Sequence, residues 1–531
     1  MTTRLNPLTR LDAALAALTF ALALTLYVRT LAPGLLLGDS AEFQTLAYTL
    51  GMTHPTGYPV YVLLARLFTL LPLGDLAWRV NLFSAVAASL ALALLYLAGR
   101  VLVGWRIAAL AGPLALSVCQ VFWWQAIIAE LYTAASALLA GAILLLVLWR
   151  RTDDWRYLAG AGLLGGLSLG VHNTVALAAP AVLIYLLLTA RTRKAWLGAA
   201  GGAALGVLLT LTAFAFLDAR DAPSGYYNSV ARHALSVWSL SASDFDAPWE
   251  RWGFLYSARQ FRPFMFAGPL TQARENFAIY QEHLNTTFAP LAVGLMGLGV
   301  LALIARRWRE GVLLTLTWLT MLIFVLNYDI WDIQVFYIPT YVLLSLSMSV
   351  GAAAILDGVA WALGRITIVK PWAAGGALMT GALILVSVLW PMTPAGREAW
   401  QAGRITFLDG TDFAEYPYPV RDPAYPYQAV ALFVARLEDD AIVFTNWDML
   451  YAYYFVAHVE QGRTGLAFHE TYPQDGVRLI TASTMAYIDA NLGKRPIYFD
   501  DRPDSELRQQ YTFKLVDSRL RLYTVVGRKG E

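Results

Sequence analysis

Eleven predominantly apolar blocks, each close to the roughly 20 residues a helix needs to cross a bilayer, recur along this 531-residue chain. They are Leu11–Leu31, Val80–Val101, Ile107–Val121, Ala126–Trp149, Trp155–Val171, Thr174–Ala190, Ala195–Leu217, Phe288–Ala305, Gly311–Asn327, Val335–Leu356 and Trp372–Trp390. Arg-containing breaks separate many of them. In lipid every backbone N–H and C=O must be satisfied internally, so such blocks are expected to be helices. The fold class this predicts is a polytopic α-helical membrane protein with about eleven transmembrane helices. Ile107–Val121 is short and Trp155–Val171 is glycine-rich, which weakens those two as straight spans. Composition agrees: 14% of residues are charged, where a soluble chain carries about a quarter. The first block is too long for a signal-peptide core and is read as a retained anchor.

Loop charges predict the orientation. With Arg4 and Arg10 in the cytoplasm, alternate connections must be cytoplasmic too. They carry Arg100/Arg106, Arg150/Arg151/Arg156, Arg191/Arg193/Lys194, Arg306/Arg307/Arg309 and Arg365/Lys370, and every one is basic. This holds only if "GYPVYVLLARLFTLLPL", Gly57–Leu73, lies along the membrane instead of crossing it. The outer side then collects a first loop at 32–79, a large loop at 218–287, short turns and the tail from Pro391. That divides the chain into a membrane domain, 1–390, and a soluble outer domain, 391–531. In the second, "DDAIVFTNWDMLYAYYFVAH" reads as strand, polar turn and helix, while "KRPIYFDD" and "RLYTVVGR" read as strands, so a small α/β domain is expected. A Pro/Tyr-rich linker, "DFAEYPYPVRDPAYPYQAV", precedes it.

The net charge of +2 gives no basis for a nucleic-acid partner. The lone Cys119 excludes an intrachain disulfide and a cysteine-based metal cluster. Metal-ligand spacings of His and nucleotide-binding loops are also absent from the sequence.

Ionisable residues gather at the predicted outer helix ends. Asp39 and Glu42 in "LLLGDSAEFQ" share one face of a helix start. Asp39 has two readings: a helix cap, with Ser40 as rival, or a general base toward an incoming hydroxyl. His54 and Tyr58 lie in the rigid turn "THPTGYP", where the histidine either satisfies the turn or donates to a phosphate or sugar. Arg66 and Arg79 run against the positive-inside trend, either snorkelling or clamping an anionic lipid headgroup. Glu130 in "FWWQAIIAELYTAASALL" is expected one turn inside a span, facing the bundle and a partner. His172 and Asn173 end one span, and Asp329 and Asp332 end another beside Tyr328 and Trp331.

The stretch "GDSAEFQTLAYTLGMTHPTGYPVYVLLARLF" resembles the signature of the membrane family DUF2723, placed with the protein O-mannosyltransferase-like enzymes of glycosyltransferase family 117. The family pattern reads G-D-S-G-E, then H-P-P-G-Y-P; here Ala41 replaces the glycine and Thr56 the second proline. "FWWQAIIAELYTAASALL", "DDAIVFTNWDMLYAYYFVAHVEQGRTGL" and "KRPIYFDD" are similar to further parts of that family, so the resemblance covers most of the chain. It implies a GT-C glycosyltransferase fold and a polyprenyl-phosphate sugar donor. It also implies an essential acidic residue in the first outer loop, hence Asp39 as leading base with Glu42 second. The sugar would be mannose or another hexose, moved with inversion to a protein or glycan hydroxyl outside the plasma membrane. No metal is required for this chemistry, and a divalent ion is left open. The competing class is a transporter, a lipid-binding protein or a non-catalytic relative, but repeated halves and polar broken helices at mid-membrane, which transporters show, are not seen.

Overall fold

The computed structural model describes residues 5–390, 418, 422–474 and 480–530. Helix α1 (Arg10–Arg29) opens on a capping box between Thr9 and Asp12. Two shorter helices, α2 (Gly38–Thr49) and α3 (Pro59–Thr69), precede α4 (Leu76–Leu102). Then α5 (Arg106–Ser117) and α6 (Gln120–Ala126) form a pair bent by 69°. They are followed by α7 (Tyr132–Thr152), α8 (Trp155–Ser168), α9 (Ala179–Thr189) and α10 (Arg193–Arg220). A long connection holds α11 (Pro248–Tyr256), and α12 (Leu270–Thr287) meets α13 (Pro290–Arg306) at a bend of 116°. The membrane part closes with α14 (Trp308–Leu326), the single turn α15 (Ile333–Phe336), α16 (Ile338–Arg365) and α17 (Ala373–Leu389).

Among the described residues, seven helices are long and apolar enough to cross a membrane, and counting each bent pair as one span gives up to nine. The chain is an integral membrane protein. Every apolar block read from the sequence contains helix, but four are not single straight spans. Ile107–Val121 and Phe288–Ala305 fall in the bent pairs. Trp155–Val171 yields the 14-residue α8. Thr174–Ala190 begins as a 3-10 turn, capped by the His172 side chain, before the 11-residue α9. Helix α3, the segment expected to lie along the membrane, has 11 residues, about 16 Å of helix and too short to cross.

The helices α4, α7 and α16 form the buried centre, while α1, α10 and α17 present most of their surface outward. Leucines such as Leu18, Leu208 and Leu383 are more than half exposed there, as a lipid-facing surface requires. A carboxylate inside the bundle is paired: Asp12 Oδ1 accepts from Arg100 Nε at 3.0 Å and Arg106 Nε at 2.8 Å, tying α1 to the α4–α5 turn. Between α8 and α10 the backbones approach closely through small residues, the device by which helices associate without a hydrophobic drive. A Cβ on Gly202 would stand 1.9 Å from the Ala159 carbonyl oxygen, and one on Gly206 2.4 Å from that of Leu163.

The C-terminal part is a five-stranded sheet in the order β2-β1-β3-β5-β4, with β1 (Ile442–Thr445), β2 (Ala467–Glu470), β3 (Ile497–Phe499), β4 (Tyr511–Asp517) and β5 (Leu522–Arg528). Strands β2, β1 and β3 are parallel, and β5 and β4 continue antiparallel. The expected strand–turn–helix is β1, Asn446 and the helix Trp447–Tyr454, whose first turn Asn446 caps by accepting from Met449 N. Of the linker at 412–430, residues 412–417 and 419–421 lie outside the described residues, and its last part forms the helix Tyr425–Val434. This sheet packs directly on the first connection, because Leu46, Met52 and Val62 share one core with Tyr451, Phe455 and Phe468.

Candidate active site

The carboxyl ends of β1 and β2 and the helix ends of the membrane part meet around a cavity of about 290 Å³. Openings beyond the carboxyl ends of parallel strands are where α/β sheets commonly take ligands.

Asp39 stands in the first turn of α2, on the cavity wall and half-buried. It does not cap the helix: the N-cap is Leu37, and no side chain hydrogen-bonds the first turn. Instead Asp39 Oδ1 accepts a hydrogen bond from the Trp447 indole Nε1 at 2.6 Å. The helix start, with its unpaired N–H groups, also favours negative charge here.

Glu42 is fully buried one turn on and does not line the cavity. Its two oxygens accept from the His54 backbone N–H at 2.8 Å and sit 2.5 Å from His54 Nδ1. Glu42 therefore fastens the "THPTGYP" turn to α2. Burial pushes the Glu42 carboxyl up, against the pull of His54. Burial alone would lower His54, but the charge and hydrogen bond of Glu42, with Asp39 behind, outweigh it and hold the imidazole up at about 9. The pair keeps its proton well above neutral pH. His54 itself lines the cavity, edge-on to Trp447 with ring centroids 5.5 Å apart.

Residues from three other helix ends join them. Glu130 is not inside α7: it precedes that helix, because Ser84 of α4 takes both its backbone groups, with Oγ donating to Glu130 O at 3.0 Å and accepting from Glu130 N at 3.1 Å. Burial, reinforced by Asp39 and Asp332, holds the Glu130 carboxyl well above the usual carboxylate range. His172 accepts from Thr174 N at 3.3 Å, and burial, reinforced by the His54 charge, pushes it down to about 3, so it is neutral. Tyr58 stacks on it with centroids 6.1 Å apart and rings 3° from parallel. Asn173 donates to Tyr256 O at 3.5 Å, while its buried Oδ1 has no hydrogen-bond partner. Asp332 completes this side.

Asp39, His54, Tyr58, Glu130, His172, Asn173 and Asp332 are thus brought together on one cavity wall. Arg66, Arg79 and Asp329 are not on it. Arg66 donates to Tyr48 O at 3.0 Å and stacks over that ring. Arg79 donates to the carbonyls of Leu73, Thr69 and Gly74 at 2.6, 2.9 and 3.0 Å, closing the C-terminal end of α3. Asp329 accepts from Gln272 at 3.2 Å on a neighbouring turn. The C-terminal part and the Trp-rich stretch "VWSLSASDFDAPWERWGFLYSARQFRPFM" of the long connection, both read from the sequence as shaping the acceptor side, supply lining residues that the sequence did not single out: Trp447 and Glu470 from the first, Tyr256, Gln260 and Phe261 from the second. The available signal was the polar turn "TNWDM" after a strand, a position that often carries function.

The described residues lining the cavity include no Lys or Arg. With His172 neutral, protonated His54 is the positive charge on that wall at neutral pH. Among the described residues, no group of three or more His, Cys, Asp and Glu could hold a metal ion.

Comparison with known proteins bears out the resemblance of the first connection. Residues 39–196 match the family model described as the protein O-mannosyl-transferase TMEM260 N-terminal domain. A stretch of 76 residues is 50% identical to the protein O-mannosyl-transferase TMEM260 of Mus musculus; it spans 13% of this chain and 11% of that protein. Among solved structures, ArnT from Cupriavidus metallidurans bound to undecaprenyl phosphate superposes with a TM-score of 0.57 over 96% of this chain and 98% of its own, at 13% identity. Its apo form gives a TM-score of 0.53 over 97% and 98%, at 12% identity. The chain has an ArnT-like, GT-C fold.

Proposed function

We propose that the chain is a GT-C glycosyltransferase that moves a hexose, mannose or a relative, from a polyprenyl-phosphate donor to an acceptor hydroxyl, with inversion. The observation that carries this reading is the placement of Asp39: half-buried, on a cavity wall, with its carboxylate aimed by the Trp447 indole. The likeness of the surrounding segment to an O-mannosyl-transferase family, and of the whole chain to a structure that binds undecaprenyl phosphate, supports it.

In the proposed step the acceptor hydroxyl enters beside Asp39. Its proton passes to the free carboxylate oxygen as the acceptor oxygen bonds the anomeric carbon. The bond from that carbon to the phosphate oxygen breaks on the opposite face, and its electron pair leaves with the lipid phosphate. The phosphate is already a good leaving group, so positioning and charge stabilisation supply most of the acceleration. The imidazolium of His54, held by Glu42, faces the phosphate charge; in this reading Glu42 is a positioning residue. Glu130, kept protonated by burial, donates a hydrogen bond to an anionic oxygen. The aromatic wall of Tyr256, Phe261, Tyr328 and Trp331 fits a sugar face and the start of a prenyl chain. In this reading the cavity faces the extracytoplasmic side of the plasma membrane, with the N-terminus inside, an orientation that the basic connections support. The C-terminal sheet shapes the protein or glycan acceptor site.

The test is transfer by the purified full chain in lipid, with polyprenyl-phosphate hexoses and hydroxyl-bearing peptides, read by mass spectrometry. A hexosylated peptide formed from a lipid donor is expected. Transfer from sugar nucleotides alone would overturn the donor class.

A further inference from the structure

The cavity just described lies at the N-terminal end of α7 and the C-terminal end of α14. The other ends of the same two helices surround a second cavity, of about 720 Å³. With 21 and 19 residues, these helices separate the two sites by about 30 Å at 1.5 Å per residue, one hydrocarbon thickness.

This second cavity is lined by Arg150 and Arg151 from the end of α7, and by Arg306, Arg307 and Arg309 from the α13–α14 turn. Glu310 is the single carboxylate among the described lining residues. It stands 3.9 Å from Arg150 Nε, too far for a hydrogen bond. Arg306 is paired with Asp357 at 3.0 Å. Arg150 and Arg309 each retain a buried Nε–H with no hydrogen-bond acceptor. Retention of basic loops on one side of the membrane explains a surplus of arginines here. It does not explain their convergence on a cavity, nor buried donors left without acceptors. The connection at 191–194 is equally basic and lines none of this cavity.

The surroundings point to the chemistry of the occupant. Guanidinium forks with open N–H groups suit a phosphate. Trp308, 49% exposed, stands at the rim, where tryptophans mark the level of lipid headgroups. Leu301 and Ile304, 66% and 49% exposed in the last two turns of α13, lead from the cavity along a lipid-facing surface. We propose that this cavity binds the phosphodiester headgroup of an anionic phospholipid in the leaflet opposite the catalytic cavity, its acyl chains lying along α13.

Native mass spectrometry of the full chain tests this, with phosphatidylglycerol and phosphatidylcholine of identical acyl chains as probes. Tighter retention of phosphatidylglycerol is expected, and Arg150→Gln/Arg309→Gln should weaken it roughly 30-fold, from the usual contribution of a basic residue at an anionic surface. Arg191→Gln/Lys194→Gln should leave it unchanged. Equal retention of the two lipids, or a preference that survives the Arg150/Arg309 pair, overturns the proposal. Displacement of the lipid by millimolar inorganic phosphate would make this a free-anion site and overturn the lipid assignment. Should the glutamine pair fail to fold, hydrogen exchange of the unsubstituted chain decides: slower exchange across 303–311 with phosphatidylglycerol than with phosphatidylcholine supports the site, and equal exchange overturns it.

Discussion

At the scale of single residues, the account rests on how Asp39 and His54 are held. Trp447→Phe keeps the ring against His54 but removes the indole N–H from Asp39. A hydrogen bond to a charged group contributes about 1.5–3 kcal/mol, so kcat should fall roughly 10- to 100-fold while the thermal midpoint changes little. Steady-state kinetics on the purified variant would show this; an unchanged kcat would mean that the indole does not position the carboxylate. His54 offers a test through pH. Its imidazole rises from an ordinary 6.5 to about 9 in the folded chain, so the stabilisation is complete below 6.5 and is lost as pH climbs to 9. The loss amounts to roughly 3 kcal/mol, at 1.36 kcal/mol per pKa unit. Thermal midpoints should therefore fall between pH 7 and pH 10, and His54→Gln should flatten that decline. Much of this wall was legible in the sequence because a charge beside a membrane span is costly and stands out: Asp39, His54, Glu130, His172, Asn173 and Asp332 could all be named from their positions at helix ends. Trp447 lies in a polar turn that the sequence does mark, but its pairing with Asp39 was not readable, since the two are 408 positions apart. Arg66 and Arg79 misled for the opposite reason. Their charge was visible, but not the backbone carbonyls that occupy them, Tyr48 in the last turn of α2 for Arg66 and Thr69 at the end of α3 for Arg79.

At the scale of elements, helix existence was readable from hydrophobicity, whereas helix continuity was not. The blocks at Thr174–Ala190 and Phe288–Ala305 look as apolar as straight spans, yet His172 caps a 3-10 turn before one, and Pro290 starts α13 after a sharp bend in the other. Glu130 shows the same limit, because only the fold brings Ser84 of α4 to its backbone. The contact between α8 and α10 depends on glycines that a hydropathy reading registers merely as weak. Gly202→Val places methyls where even a Cβ would stand 1.9 Å from the Ala159 carbonyl oxygen. The helices must separate, and a cost of about 1–3 kcal/mol follows from overpacking. A lower thermal midpoint and reduced yield in membranes are the expected readouts. The same substitution at Gly201, where an added Cβ meets nothing within 4 Å, should be nearly neutral.

At the scale of the whole molecule, the sheet is part of the site. Glu470 at the end of β2 and Trp447 on the helix after β1 line the cavity, Thr45 donates to Tyr451 O at 2.9 Å, and one hydrophobic core runs from α2 into that helix. The sequence marked the C-terminal part as soluble by composition, and its docking onto α2 became visible only in three dimensions. Phe455→Ala, deep in the shared core and 2% exposed, should cost about 3–5 kcal/mol and reduce activity along with stability, read as parallel losses of thermal midpoint and transfer rate. A sheet merely tethered to the membrane part would lose stability without loss of transfer. The central claim is that this junction is a transferase centre with Asp39 as base, and Asp39→Asn tests it most directly, because the amide can still accept from Trp447 but cannot take a proton. Single-turnover transfer from a polyprenyl-phosphate hexose, measured on the purified variant, should drop by at least roughly 100-fold with an unchanged thermal midpoint; transfer at a rate close to that of the unsubstituted chain would contradict the account.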